Sequence, residues 1–398
     1  MTSISPARDW RIPIFAMLVA TFAVCTTELI ISGILPALAQ DLTVDIPTAG
    51  LLITGYAVSV AVGGPLLALL TGRLSRRLLL LVVLAIFIVG NIICAVSTNY
   101  AMLLATRLVL AASQGLFFSV VMVLAMRLAP EDRKSSAVSM VMIGVNMATI
   151  LGVPLGTAIG NAYGWRATLL VISVAVGIAT AVLALLIPPT PVSAEPKRSD
   201  FKAELAAALR VPVLLCYASI AFSLLAFFIM VAYIVPFLTV GGGLSTEVVP
   251  LALLGIGVTG FFGNIIGGRL GDWNPVATML GTLTINTILF VVLAQVASYG
   301  WVAVGVMLVI WGVGFAFPAP AQTRIMREVA DAPNFAASLN NTAFQVGIAC
   351  GAAIGGAALA ADVPYTSLPL LSALSLACAL GTTLALSVYD RRRRVALA

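Results

Sequence analysis

The chain has no histidine among its 398 residues. An imidazole base, histidine metal ligation and a histidine proton relay are therefore excluded. Charge is nearly as scarce. Asp, Glu, Lys and Arg make up 9% of the chain, where soluble domains carry about 25%. The five cysteines (Cys25, Cys94, Cys216, Cys350, Cys378) stand inside apolar runs without metal-ligand spacing. They read as small apolar residues and not as disulfides. No nucleophile–base constellation and no phosphate-binding loop appears in the sequence. These features argue against an enzyme and call for no cofactor or metal.

What the chain has in abundance is apolar length. Hydrophobic residues make up 61%, and the mean hydropathy is +1.12. Apolar stretches long enough to cross a bilayer fall at about 12–36, 47–70, 78–97, 100–126, 137–160, 167–187, 212–239, 248–268, 276–298, 301–323, 335–360 and 367–388. Too little polar chain remains for a soluble domain, and the Leu- and Ala-rich spans favour helices over a barrel. The expected class is an all-α polytopic membrane protein of twelve helices, with the lipid bilayer as its solvent. "ALAQ" at 37–40 resembles a signal-peptidase site. The apolar run before it is too long for a leader and contains Glu28, so the first span is read as retained.

The net charge of +6 does not point to nucleic acid. If the N-terminus is cytoplasmic, every Lys and Arg except Arg107 and Arg166 falls on the cytoplasmic side. That is the positive-inside pattern, and it places both termini in the cytoplasm. The basic excess is thereby read as topology.

One polar segment, residues 188–211, divides the spans into halves at 1–187 and 212–398. The halves echo each other at an offset of 195 or 196 residues. "TGRLSRR" (71–77) matches "GGRLGDW" (267–273), pairing Arg73 with Arg269. "NMATILGVPLGTAIG" and "NTAFQVGIACGAAIG" pair Asn146 with Asn341. They also pair Gly152, Gly156 and Gly160 with Gly347, Gly351 and Gly355. Six spans per half make the repeats parallel. Glycine every fourth residue lets a neighbouring backbone approach closely. Static packing is one reading, and an interface between halves that opens and closes is the other. Pro154 adds a bend point to the first ladder.

At this level of detail the chain resembles the major facilitator superfamily, in its twelve-span drug:proton antiporter branch. "TTELIISGILPALAQDL" resembles the first-span motif, "RLVLAASQG" (107–115) the fourth-span motif with a membrane arginine, and "GVPLGTAIGNAYGWRATL" (152–169) the fifth-span antiporter motif. "YIVPFL" (233–238), "GNIIGGRLGD" (263–272) and "FAASLNNTAFQVGIACGAAIGG" (335–356) resemble second-half patterns of a bacterial subgroup. The resemblance implies efflux of sugars, nucleosides or chloramphenicol-like drugs from a bacterial cytoplasm through the inner membrane, by a monomer. It also implies gating roles for Arg73, Arg76 and Arg77, with Gly72 standing where the family carries an aspartate and Asp272 in the second-half copy.

The chemistry centres on Glu28. A rise of ~1.5 Å per residue puts it about 12 Å inside the end of its span near Pro36. Arg107 lies at about the same depth from Tyr100. They are expected to be the only charged pair buried in the bundle, since an unpaired mid-membrane charge costs at least ~3 kcal/mol. A fixed structural pair is one reading. The other is proton coupling, in which a carboxyl whose surroundings change also changes its proton affinity, while arginine stays charged. The resemblance implies a substrate cavity lined by spans one, four, seven and ten. Arg107, Gln114 and Phe118 share a face of span four at helical spacing. Phe227, Phe228 and Tyr233 come from span seven, and Trp311 and Phe315 from span ten. Tyr56, Asn146 and Asn341 complete the expected lining. The expected function is proton-coupled export of small neutral or amphiphilic molecules. An importer or an uncoupled facilitator is the alternative.

Overall fold

The computed structural model describes residues 10–71, 74–130, 133–187, 209–329 and 333–397. Gly72, Arg73 and most of the 188–211 segment lie outside the described residues. Among the described residues, twelve helices are long and apolar enough to cross a membrane: α1 Arg11–Asp41, α2 Ile46–Leu67, α3 Arg76–Ala95, α4 Tyr100–Leu128, α5 Ser136–Tyr163, α6 Trp165–Leu186, α7 Val211–Val231, α8 Val249–Trp273, α9 Pro275–Val296, α10 Gly300–Glu328, α11 Leu339–Ala360 and α12 Tyr365–Arg393. The chain is a multi-pass, all-helical membrane protein. Its helices form two compact units, Met1–Val44 with Ser59–Ala194, and Asp45–Val58 with Glu195–Ala398.

In the first unit α1 packs against α5 and α6, and α3 against α4 and α6. Hydroxyls inside α1 are satisfied by their own helix, as they must be in hydrocarbon. Thr21 donates to Met17 O (2.8 Å), Thr26 to Phe22 O (2.7 Å) and Thr27 to Ala23 O (3.0 Å). A Cβ at Gly152, Gly156 or Gly160 would run into Thr26, Ile30 or Ile34 of α1. The glycine ladder therefore seats α5 on α1, within its own unit. It flanks the turn that carries Glu28. Just before Pro154, residues Ala148–Gly152 widen into a π-helical turn, because proline offers no N–H to continue the ordinary ladder.

The joint between α5 and α6 turns on Gly164 at φ +86°. Beside it, Trp165 Nε1 donates to Asp41 (3.2 Å), Arg166 pairs with Asp41, and Arg166 also donates to Ser97 O (2.9 Å). Arg166 is one of the two arginines that break the charge asymmetry, and it is held by the end of α1.

In the second unit α7 packs against α11 and α12. Ser219 shares a hydrogen bond with Thr383 (2.7 Å), and Ser372 and Ser375 donate to Ala226 O and Phe222 O (2.7 Å each). Small hydroxyls thus join helices that lipid would not drive together. Gly347 and Gly351 face Ala221, Leu225 and Phe228 of α7, so this ladder also serves packing inside its unit.

The repeat extends to a pairing the motifs do not show. Gly63 and Gly64 of α2 press on Ala112 and Gly115 of α4, and Gly263 and Gly267 of α8 press on Gly312 and Ala316 of α10.

Candidate functional site

Glu28 and Arg107 meet in the first unit, with Gln114 as the third member. Arg107 is fully buried. Its Nη1 donates to the backbone O of Thr27 at 2.8 Å, and its Nη2 to the backbone O of Glu28 at 3.3 Å. The Glu28 carboxylate accepts a hydrogen bond from Gln114 Nε2. Gln114 lies two turns beyond Arg107 on α4, so one helix face presents both groups to one turn of α1. Glu28 itself is half-buried, whereas Gln114 is buried.

A second layer fixes the α1 turn. Asn91 of α3 is fully buried, and its Nδ2 donates to Thr27 Oγ1 (3.3 Å) and to Phe87 O (2.9 Å). Its Oδ1 has no hydrogen-bond partner among the described residues. Sequence reasoning missed Asn91, although one amide in an apolar span is the same kind of signal as one carboxylate.

The other expected lining residues are distributed as follows. Tyr56 is buried. Asn146 and Phe118 are half-buried, with Phe118 edge-on to Phe117 at 5.7 Å. In the second unit, Phe227 meets Trp311 edge-on at 5.4 Å and Phe290 at 5.7 Å. Phe228 is half-buried against Gly351, and Phe315 against Gly260.

Tyr233 is fully buried in a nest of small residues, touching Gly50, Gly355 and Gly356, and its hydroxyl donates to Ala352 O (3.0 Å). Asn341 is exposed. Its neighbours Asn340 and Gln345 are buried, and their side-chain oxygens have no hydrogen-bond partner among the described residues.

Helix α10 is broken. It runs Gly300–Gly314, turns, and restarts at Pro318. Asn286 of α9, with its amide oriented by its partners, donates to Ile310 O (3.2 Å) and accepts from Gly314 N (3.1 Å). These are the i and i+4 groups that a helix pairs with each other. The break lies one residue beyond, next to the Phe227–Trp311 cluster.

A second set of charges, partly buried, is paired at the ends of α10 and α12. Arg324 of α10 donates to Asp390 through Nε (3.2 Å) and Nη2 (2.7 Å) and to Glu328 through Nη1 (3.0 Å). The side chains of Arg324 and Glu328 are each 11% exposed. The acids were assigned to span ends correctly, but their closure into a network was not legible from spacing. Among the gating candidates, Arg77 donates to Ala184 O (2.6 Å) and Arg76 is half-buried. Arg269 and Asp272 are exposed, and Asp272 O accepts from Arg327 (3.4 Å). No group of three or more metal-ligating side chains occurs among the described residues.

Comparison with known proteins places this arrangement. The chain is 33% identical over 363 residues to the inner membrane transport protein YdhP of Escherichia coli, covering 91% of this chain and 92% of that protein. It is 29% identical over 343 residues to a probable sugar efflux transporter of Mannheimia succiniciproducens, covering 86% and 85%. Its fold matches that of a bacterial homologue of the human lysosomal transporter Spinster in an inward-facing, occupied conformation. That match has a TM-score of 0.79 at 13% identity and covers 97% and 98% of the two chains. The sequence profile of the Major Facilitator Superfamily matches residues 17–352. With twelve spans, repeated halves and a matching profile over most of its length, the chain belongs to the Major Facilitator Superfamily and is a membrane transporter, not an enzyme.

Proposed function

We propose that the protein exports small neutral or weakly polar solutes in exchange for protons, with sugar-like molecules as the first substrate class. Chloramphenicol-type drugs and nucleosides match the same size and polarity. The observation that carries the reading is the trio of Glu28, Gln114 and Arg107. Two backbone carbonyls anchor Arg107, and these anchors do not require a charged carboxylate. Gln114 can donate to a carboxylate through its amide nitrogen and accept from a carboxylic acid through its oxygen. The trio thus serves both protonation states of Glu28 by a flip of the Gln114 amide. The name of the Mannheimia relative supports export of sugars, and the charge asymmetry supports cytoplasmic termini.

One carboxylate implies one proton per cycle. Exchange of one proton for a neutral solute moves one charge, worth ~2.3 kcal/mol per 100 mV. At ~1.4 kcal/mol per decade, this sustains roughly a fifty-fold gradient. A monovalent cation would draw on the pH difference alone, and Arg107 would repel it. Neutral cargo is favoured on both counts.

The test is proton flux in inverted vesicles with an imposed acid interior. A pentose, a purine nucleoside and chloramphenicol are added in turn to wild type and to Glu28→Gln. The expected result is proton release with one of them, lost in the variant while solute exchange persists. Gradient-driven transport by Glu28→Gln at the wild-type rate would overturn the coupling role. Solute movement indifferent to the gradient in wild type would make the protein a facilitator.

A further inference from the structure

The charged network of the second unit has a surplus. At the ends of α10 and α12 and the start of α9, a cleft of about 680 Å³ opens between these helices. Its floor is electrically balanced. Arg324 is held by Asp390 and Glu328, and Arg393 Nη1 reaches the other oxygen of Glu328 at 2.8 Å. Two arginines thus face two carboxylates. Arg327 and Arg391 also line the cleft, and both are exposed. Together they leave two positive charges without carboxylate counterparts in the lining.

The remaining wall is the first turn of α9. Asn274 caps it by accepting from Ala277 N (3.1 Å), and Pro275, Val276 and Leu280 give it an apolar flank. Trp273, one residue before the cap, is 85% exposed. An exposed indole at the end of a span is the usual marker of the membrane–water boundary. A cleft with a cationic rim and an apolar flank, whose lining begins one residue after an interfacial tryptophan, has the chemistry for a phosphodiester attached to acyl chains. Topology alone explains which side the arginines occupy. It does not explain why they border a cleft whose floor is already neutralised.

We infer that this cleft binds the phosphate of an anionic membrane lipid, with Arg327 and Arg391 as its cationic contacts. A free phosphate would use the same arginines but gain nothing from the apolar flank.

The full-length protein, reconstituted in phosphatidylcholine with increasing brominated phosphatidylglycerol, reports occupancy through quenching of Trp273 fluorescence. The Trp273 signal is isolated as the difference between wild type and Trp273→Phe. Brominated phosphatidylglycerol should quench at a roughly thirtyfold lower mole fraction than brominated phosphatidylcholine, the effect of two arginines near an anionic surface. The double variant Arg327→Gln/Arg391→Gln should abolish that difference while solute transport remains. Equal quenching by the two lipids would overturn the proposal. So would loss of the preference on adding inorganic phosphate at millimolar levels, which would assign the cleft to a soluble anion.

Discussion

Arg107 reaches two consecutive carbonyls of α1 with two nitrogens of one rigid fork. A lysine carries the same charge but has a single ammonium and no fork. Arg107→Lys should therefore keep the charge and lose the register between α4 and α1. Hydrogen bonds of charged groups contribute about 1.5–3 kcal/mol, so solute flux should fall by roughly tenfold or more, measured in the same vesicles. Flux near the wild-type value would mean that charge alone matters at this position. Asn91 bears on the same turn through Thr27, which makes the local geometry a property of three helices and not of one ion pair.

At the scale of elements, the glycine ladder on α5 fixes how closely α1 and α5 approach. A side chain at Gly156 would meet Ile30 and Thr168, in a place where lipid gives no room to swell. Gly156→Leu should cost about 1–3 kcal/mol as an overpacked core. It should lower the melting temperature of the purified protein as well as its flux. An unchanged melting temperature would show that the two helices separate without penalty. Helix α10 is tied to its neighbour just before its break. Asn286 adds hydrogen bonds to the carbonyl of Ile310 and the amide of Gly314, which already close the last turn of that helical segment. Asn286→Leu removes both cross-helix bonds, so the purified variant should melt lower, by the loss of about 1 kcal/mol per bond. An unchanged melting temperature would mean that the amide does not hold α10 on α9.

Across the whole molecule, the apolar runs were enough to read twelve spans, because hydrocarbon admits so few solutions. Glu28 and Arg107 were legible for the same reason, since charge in a span is rare and conspicuous. Contacts set by helix rotation were not legible. Nothing near Tyr233 in the sequence announces Gly50 and Gly356 against its ring, and Asn341 and Asn340 differ only by 100° of helical phase. The Arg324–Asp390 pair spans 66 residues, and no local spacing announces it. The glycine spacing signals close approach but not the partner, and Thr26, Ile30 and Leu225 carry no local sign of it.

The first part of α2, Asp45–Val58, belongs to the second compact unit although it precedes most of the first in the chain. Its Gly50 lies against Tyr233. If the chain is severed between Ile187 and Leu209, the amino-terminal fragment still carries a piece of the other fragment's core. Two such fragments, made together, behave as a pair that has already exchanged an element. They should copurify through an affinity tag on either one. Gly50→Leu, which collides with the Tyr233 hydroxyl, should weaken that recovery while each fragment still inserts.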